Sequence, residues 1–254
     1  MRSPAVSERI SSQGLLSGRR ILLVGMGGLG CPAALGLANS GATLVLADDD
    51  VVEASNLHRQ VLFDESAIGL DKLDAAQATL LQRGVPAARI ELVRTRLLPE
   101  NARALVASVD LVLEGSDNFA TKFLAADACY LEGRPIVHGA AVRLEGTVWS
   151  VSARGQPCYR CLFEDIPAGA QAGCAEAGVL GPVVGLCGAL MADLALSALQ
   201  GDESRTGRIF TFHGRRNQLR DVSVTSRPSC PLCGANRRIS QIEETRYTAP
   251  GCAA

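Results

Sequence analysis

The sequence predicts an α/β fold of the Rossmann-like type: a mostly parallel sheet with helices on both faces, extended by antiparallel strands. Three observations lead to this prediction. Short apolar runs alternate with helical segments through the first half of the chain. The first apolar run leads directly into a glycine-rich turn, which is typical of nucleotide-binding folds. From about residue 144 the pattern changes to paired β-rich segments, which favour antiparallel strands.

The elements follow one another in a regular order. Apolar runs that predict strands lie at residues 20–24, 42–47, 89–94, 110–114 and 135–137. Helical spacing or composition lies between them, at residues 29–40, 72–83, 100–107 and 119–131. The most apolar stretch, residues 179–199, contains Asp193 and several glycines, and a charge near the centre of a membrane span is costly. We therefore expect a buried helix there and no membrane association.

Composition and charge exclude several classes of protein. Apolar residues make up 47% of the 254 residues, enough to fill a sizeable core, so the chain is not predominantly disordered. The formal net charge of −1 provides no general attraction to nucleic acid or to anionic membranes. Residues 1–20 lack the apolar run of an export signal, and the chain has nine cysteines. This combination predicts a reducing compartment, hence a cytoplasmic protein.

The glycine-rich turn predicts a nucleotide-binding site. Its glycines, Gly25, Gly27, Gly28 and Gly30, have the G-x-G-x-x-G spacing between a strand and a helix. Such a turn brings the backbone close to a phosphate, and the N–H groups at the start of the helix are free to bind it. Asp48 ends the second predicted strand, where a carboxylate binds ribose hydroxyls. These features alone favour NAD and an oxidoreductase, although no catalytic residues for such an enzyme are evident.

Two C-x-x-C pairs predict a structural zinc site. Cys158 and Cys161 form the first pair, and Cys230 and Cys233 form the second. Together they supply four thiolates, the ligand set of a closed tetrahedral zinc site. Because the pairs are far apart in sequence, such a site would tie the C-terminal segment to the body of the protein. A redox-active pair is the alternative.

Taken together, the motifs resemble one family. Besides the glycine turn and the cysteine pairs, the motifs are Asp48–Asp50, Ser55–Gln60, Lys72, Ser116–Asn118, His138–Ala141 and Cys174–Gly178. In this order they resemble the bacterial MoeB/ThiF/HesA adenylyltransferases, which are related to the core of ubiquitin-activating enzymes. The resemblance covers residues 15–234 and implies one ATP-binding domain over residues 1–234. Residues 235–254 are polar and have little apolar periodicity, so we expect a mobile tail there. The resemblance also implies that ATP, not NAD, occupies the glycine turn.

The resemblance implies a reaction with a small ubiquitin-like sulfur carrier that ends in Gly-Gly. The enzyme uses ATP to adenylate the C-terminal glycine of this carrier and releases pyrophosphate. The carboxylate is already ionised, so positioning and cationic stabilisation supply most of the rate. By resemblance Arg59 contacts the outer phosphates, Lys72 neutralises developing charge, and Asp117 binds Mg²⁺. The remaining ATP-binding residues implied by the resemblance are Asp48, Asp50, Asn56, Gln60 and Asn118.

Three further positions bear on the mechanism. Cys174 matches the cysteine that in several relatives links covalently to the carrier or its sulfur; the alternative is a spare cysteine on a carrier-binding loop. Arg2 is a loose match to an arginine that reaches the partner active site in family homodimers. Lys122 stands where relatives often have an arginine; it keeps the charge but lacks the bidentate guanidinium.

The resemblance therefore implies a homodimeric sulfur-carrier adenylyltransferase that depends on ATP and Mg²⁺, and the cysteine pairs add Zn²⁺. The segment from His138 to Gly146 favours the carrier of molybdopterin synthase, whereas Ala47–Asp50 and Gly181–Gly185 resemble enzymes serving the thiazole carrier of thiamine synthesis. We expect the sulfur donor to be a separate protein, a cysteine desulfurase or a rhodanese. A non-catalytic carrier-binding scaffold is disfavoured because Arg59, Lys72 and Asp117 are all present.

Overall fold

The computed structural model describes residues 14–166 and 178–247. Its strands are β1 Arg20–Val24, β2 Thr43–Ala47, β3 Ile90–Val93, β4 Leu111–Glu114, β5 Ile136–Val142, β6 Glu145–Val151, β7 Arg208–His213 and β8 Gln218–Ser223. Its helices are α1 Gly30–Leu37, α2 Lys72–Gln82, α3 Ala102–Ala107, α4 Phe119–Glu132, α5 Tyr159–Leu162 and α6 Gly181–Leu199. Short 3-10 turns lie at Ala54–Asn56, Glu65–Ala67, Ala87–Arg89 and Glu244–Tyr247.

All eight strands form one sheet in the order β3-β2-β1-β4-β5-β6-β7-β8. The first five strands along the chain pair in parallel, and β6, β7 and β8 continue the sheet as antiparallel neighbours. The chain runs outward from β1 to β3 and then returns to β4 on the other side of β1. In open α/β sheets, ligands bind at the carboxyl ends of the strands where the strand order reverses, which here is between β1 and β4.

Strand β1 shows how the sheet is covered on both faces. Ile21 and Leu23 belong to the larger apolar core, which includes side chains from α1, α2 and α6. Leu22 and Val24 belong to a second core, with side chains from α3 and α4. Because successive side chains of a strand point to opposite faces, a continuous apolar run is what a strand buried on both faces requires.

Helix α6 is long and apolar enough to span a membrane, but it belongs to the core. It buries Val183, Cys187, Met191 and Leu194 in the larger apolar cluster. A Cβ atom placed on Gly188 would lie 2.4 Å from Cγ of Pro32 in α1, so glycine is needed for the two helices to approach this closely. The expectation of a buried helix is confirmed for this segment.

The predicted strands and helices are confirmed with shifts of a few residues at their ends, and the antiparallel extension is also confirmed. The largest change is in β5, which continues to Val142 because it pairs along its whole length with β6. Of the tail expected to be mobile, residues 248–254 lie outside the described residues, and in the rest Ile239 and Tyr247 are buried. The Tyr247 hydroxyl donates to buried Asp127 at 2.9 Å, and this contact joins the segment to α4.

A buried polar network joins β4, α4 and β5 just below the carboxyl edge of the sheet. Glu114 is fully buried, and its Oε2 accepts a hydrogen bond from Lys122 Nζ at 2.8 Å. His138 Nδ1 lies 3.3 Å from the same oxygen, and Lys122 also donates to the Gly139 carbonyl at 2.6 Å. Burial raises the pKa of Glu114, but Lys122 and His138 lower it more, giving a pKa of about 2. Burial lowers the pKa of His138.

We predict that this network makes the free energy of unfolding fall as the pH is lowered through the acid range. Because the pKa of Glu114 falls from its ordinary 4.5 to about 2 on folding, ionisation stabilises the protein above pH 4.5, and the stabilisation is lost toward pH 2. At 1.36 kcal/mol per unit, about 2 kcal/mol is lost between pH 6 and pH 3. Urea unfolding of the wild type should show this loss in excess of that in the double variant Glu114→Gln, Lys122→Met. Parallel pH curves for the two proteins would contradict the assignment.

Candidate active site

A cleft of about 450 Å³ lies at the carboxyl ends of β1, β2, β4 and β5. Its walls come from the glycine turn, the acidic turn after β2, the segment around Arg59, the start of α2 and the start of α4. Eleven of the twelve nucleotide-site residues predicted from sequence line it: Gly25, Gly27, Gly28, Asp48, Asp50, Asn56, Arg59, Gln60, Lys72, Asp117 and Asn118. The strand order therefore brings together residues spread over more than ninety positions of the sequence.

The glycine turn forms the floor of the cleft. Gly25 has φ +89°, a conformation that side-chain-bearing residues rarely adopt. Gly30 does not line the cleft, but a Cβ atom there would lie 1.9 Å from the Gly25 carbonyl oxygen. This glycine therefore allows α1 to start directly against the end of β1, with the N-terminal end of α1 at the cleft.

The acidic turn after β2 combines a structural carboxylate with ion pairs. Asp48 is buried and accepts hydrogen bonds from the backbone N–H groups of Met26 at 2.6 Å and of Asp50 at 2.9 Å. Lys72, at the start of α2, is also buried; its Nζ lies 2.9 Å from Asp50 and 4.0 Å from Asp48. Asp48 thus fixes the turn to the glycine loop, and Lys72 is held at the cleft between two carboxylates.

The segment Asn56–Gln60 forms the side of the cleft that faces α6. Arg59 donates from Nη2 to the Asn56 side-chain oxygen at 2.5 Å, which holds the guanidinium along the wall. Gln60 is buried, and its Oε1 has no hydrogen-bond partner among the described residues. A Cβ on Gly181 would lie 2.4 Å from the His58 carbonyl oxygen, so a glycine at the start of α6 lets this segment pack closely.

Asp117 and Asn118 lie where β4 turns into α4. Asn118 caps the helix, because its side-chain oxygen accepts from Thr121 N at 2.8 Å. Asp117 is exposed at the cleft, and its carboxylate has no ion-pair or hydrogen-bond partner in the part of the chain that the structure describes. A carboxylate in this position fits a hard, oxygen-seeking cation such as Mg²⁺.

Three of the further residues that line the cleft are polar or charged and follow or adjoin the parallel strands. Arg96 follows β3 and pairs through Nε with Asp49 at 2.7 Å; this hydrogen bond raises the pKa of Arg96. Ser116 donates from both its backbone N–H and its hydroxyl to Glu114. Lys122 lines the cleft as well as bonding Glu114. Arg96 and Ser116 follow strands of the parallel sheet, and that position is the signal that could have identified them.

The two cysteine pairs, one after β6 and one after β8, lie together in the structure. All four Sγ atoms lie within 4.8 Å of one another, and Cys158–Cys230 and Cys161–Cys233 are 3.4 and 3.3 Å apart. These separations are too long for disulfides and are close to the ~3.8 Å that a tetrahedron with Zn–S bonds of about 2.3 Å requires. All four cysteines are buried. The donor set therefore fits a closed zinc site.

Two of the residues predicted to take part in catalysis or assembly lie outside the described residues. Cys174 falls in 167–177 and Arg2 falls in 1–13. Their predicted roles in covalent capture and in the partner active site are untested.

The cleft can bind a polyphosphate next to a nucleoside. Lys72 and Arg96 pair with the acidic turn after β2, and Arg59 lies against Gly28 of the glycine turn. Asp48 lies where ribose hydroxyls bind in doubly wound sheets. The lining on the opposite side, at the ends of β4 and β5, consists of small residues together with Asp117 and Lys122. A second substrate can therefore enter beside the phosphates.

Sequence relatives cover nearly the whole chain. The chain is 39% identical over 234 residues to "Adenylyltransferase and sulfurtransferase MOCS3" of Anopheles gambiae, covering 90% of this chain and 53% of that protein. It is also 39% identical over 239 residues to "SAMP-activating enzyme E1" of Haloferax volcanii, covering 92% of this chain and 87% of that enzyme. The chain thus spans about half the length of the MOCS3 relatives that it matches.

Solved structures show the same fold. The structure of E. coli MccB with ATP superposes with a TM-score of 0.72 at 18% identity, covering 88% of this chain and 68% of that one. PaaA gives a TM-score of 0.67 at 22% identity, covering 85% of this chain and 67% of that chain. The model of the ThiF family matches residues 6–232. With the glycine turn, the cleft and the paired cysteines in place, the chain belongs to the ThiF family.

Proposed function

We propose that this protein uses ATP to adenylate the C-terminal glycine of a ubiquitin-like sulfur-carrier protein. The observation that carries this proposal is the convergence of Asn56, Arg59, Lys72 and Asp117 on one cleft beside the glycine turn. The relatives support it, because they are named as an adenylyltransferase and as an activating enzyme for SAMP. The fold neighbour MccB has been crystallised with ATP.

The reaction needs charge stabilisation and positioning more than proton transfer. A carboxylate oxygen of the carrier attacks the α-phosphorus of ATP, the bond from that phosphorus to the bridging oxygen breaks, and pyrophosphate leaves with the electron pair. Arg59 and Lys72 supply positive charge where these anions meet. Lys72 starts from an ion pair with Asp50 at 2.9 Å, so its ammonium is held at the cleft before ATP binds. Such preorganisation lowers the cost of reorganisation during the reaction.

Asp48 and Asp117 have different roles in the proposal. Asp48 already accepts two backbone N–H groups, so it positions the turn and offers its remaining lone pairs to the ribose. Asp117 makes no such contact and would hold magnesium. Magnesium bound with ATP would neutralise phosphate charge and help pyrophosphate to leave.

We further propose that the carrier is the molybdopterin synthase type, as the His138–Gly146 segment suggests, with the thiazole carrier of thiamine synthesis as the second candidate. The latter is favoured by the acidic turn Asp48–Asp50 and by the start of α6. ATP–pyrophosphate exchange with each purified carrier in turn distinguishes them: the true carrier supports exchange and the other does not.

A cytoplasmic homodimer, with Arg2 reaching the partner site and with a separate desulfurase or rhodanese as sulfur donor, completes the proposal. Zinc held by Cys158, Cys161, Cys230 and Cys233 would have a structural role, because all four donors are protein thiolates and no position remains for a substrate. Cys174 is the proposed nucleophile for capture of the carrier.

Asp117→Ala should reduce carrier-dependent ATP–pyrophosphate exchange by about a thousandfold or more, because the proposed metal ligand would supply several kcal/mol of charge stabilisation. The fold should be unaffected, since Asp117 is exposed. Asp193→Ala is the matched control: it removes an exposed carboxylate of α6 and should stay within about threefold of wild type. Exchange by Asp117→Ala within about tenfold of wild type would refute the assignment.

We predict one zinc per chain. Replacement of any of the four ligands by serine should abolish zinc binding and lower the thermal unfolding midpoint more than it changes exchange activity, because a closed site contributes folding free energy. Elemental analysis measures the metal, with Cys187→Ala, a buried cysteine outside the cluster, as the control that retains it. Metal-free, fully folded wild type purified under reducing conditions would contradict the prediction.

Cys174→Ala should leave carrier-dependent pyrophosphate exchange nearly unchanged, because adenylation requires only the charges around ATP. The same variant should lose any thiol-sensitive adduct that forms when enzyme, carrier, ATP and a sulfur source are mixed, since a cysteine thiol is intrinsically nucleophilic. Intact-protein mass spectrometry without reductant measures the adduct. An equal yield of adduct in the variant would assign covalent capture to another cysteine; no adduct in either protein would mean that the enzyme stops at the adenylate.

A further inference from the structure

The distribution of lysine in this chain is unusual. Of the 25 lysines and arginines, only Lys72 and Lys122 are lysines. Both are buried, and both line the same cleft. Among the described residues every exposed cationic side chain is an arginine, and both lysines of the chain face the cleft. Arginine and lysine differ in size and in donor geometry, so the two ammonium groups give this cleft donors of a different shape from the guanidinium groups elsewhere on the chain.

Lys122 is held rigidly with donor capacity to spare. An ammonium group has three N–H donors. Two of them are used, toward Glu114 Oε2 at 2.8 Å and toward the Gly139 carbonyl at 2.6 Å. Within residues 14–166 and 178–247 the third N–H has no hydrogen-bond acceptor, and the side chain lines the cleft. Because Glu114 balances its charge, Lys122 offers a fixed, directional donor rather than an unpaired charge.

The place of Lys122 in the sheet indicates which substrate it meets. Asp48 and Lys72 lie on the β2 side of the glycine turn, where the nucleotide is proposed to bind. Lys122 lies on the opposite side and bridges β4 to β5, with Ala140 and Ala141 beside it on the cleft wall. With strands spaced about 4.8 Å apart, β2 and β5 are separated by roughly 14 Å, which is ample for a second substrate beside the phosphates.

We propose that Lys122 is a catalytic residue that binds the C-terminal carboxylate of the carrier through its third N–H and directs it toward the α-phosphate. This rests on the proposed function and assigns to it the residue that recognises the acyl group. Glu114 acts through Lys122 as a positioning residue. It fixes the ammonium and limits its net charge, so that the donor remains in place when the site is empty.

The test compares two forms of the carrier that supports exchange by the wild type: one with its free C-terminal carboxylate and one with a C-terminal amide. Binding of each is measured by calorimetry in the presence of a non-hydrolysable ATP analogue. The protein variants are Glu114→Gln with Lys122→Met, which leaves no unpaired buried charge, and Glu114→Gln alone. Arg103→Met is the control, since it also replaces an ion-paired cation by methionine, on the surface of α3.

The wild type and Arg103→Met should bind the carboxylate form at least about tenfold more tightly than the amide, as expected for a charge-assisted hydrogen bond. The double variant should bind the carboxylate form less than about twofold more tightly than the amide form. Its affinity for the ATP analogue should stay within about threefold of that of the wild type. Glu114→Gln alone should discriminate more strongly, because its ammonium charge is no longer balanced. The preference for the carboxylate form should fall in the double variant and rise in Glu114→Gln. General destabilisation would change it in the same direction in both variants, so the opposite changes identify a contact with the substrate.

The proposal would be overturned if the double variant kept the full preference of the wild type for the carboxylate form of the carrier. If the double variant kept that preference but lost affinity for the ATP analogue, Lys122 would be assigned to the nucleotide instead. If Glu114→Gln lost discrimination together with the double variant, Lys122 would be a structural residue only. A wild type that supports exchange with none of the carriers would refute the proposed function itself, and this inference with it.

Discussion

The cleft depends on how closely helix α1 approaches the end of strand β1. A Cβ at Gly30 would lie 1.9 Å from the Gly25 carbonyl oxygen, so only glycine allows the helix to begin there. Asp48 then binds the backbone N–H of Met26 and fixes the turn after β2 to the same loop. The glycine turn and the acidic turn are thus one rigid unit, against which Arg59 and Lys72 are placed.

The opposite wall of the cleft is held by a different kind of interaction. Glu114, Lys122 and His138 are buried together at the ends of β4 and β5, where ions without partners would be costly. Each partner comes from a different element, so the network holds α4 against both strands. A second buried pair, Arg160 and Asp127, connects the first cysteine pair to the same helix at 2.8 Å. Helix α4 therefore couples the cleft to the proposed metal site.

Local signals predicted the parts of this structure that local chemistry determines. Apolar runs predicted the strands. The spacing of glycines predicted the nucleotide-binding turn, and the spacing of cysteines predicted a cluster whose four Sγ atoms lie within 4.8 Å of one another. Contacts between distant elements could not be predicted in this way: Arg96 pairs with Asp49, and His138 pairs with Glu114, only because the sheet sets their strands side by side. The contacts of residues 235–247 could not be predicted for the same reason, because a polar segment without apolar periodicity packs through a few buried side chains, such as Tyr247 against Asp127.

The division of the cleft follows from the strand order. Since the chain places β2 and β3 on one side of β1 and β4 and β5 on the other, each half of the parallel sheet contributes its own loop ends to one side of the glycine turn. The β2 side carries Lys72 against two carboxylates of the acidic turn, where an arriving polyphosphate can compete for its ammonium. The β4 side carries Lys122 in a bond to a fully buried carboxylate, which an incoming group cannot easily displace. The two lysines therefore differ in what they can do: the first can shift toward charge as it develops, whereas the second can only hold a partner in place.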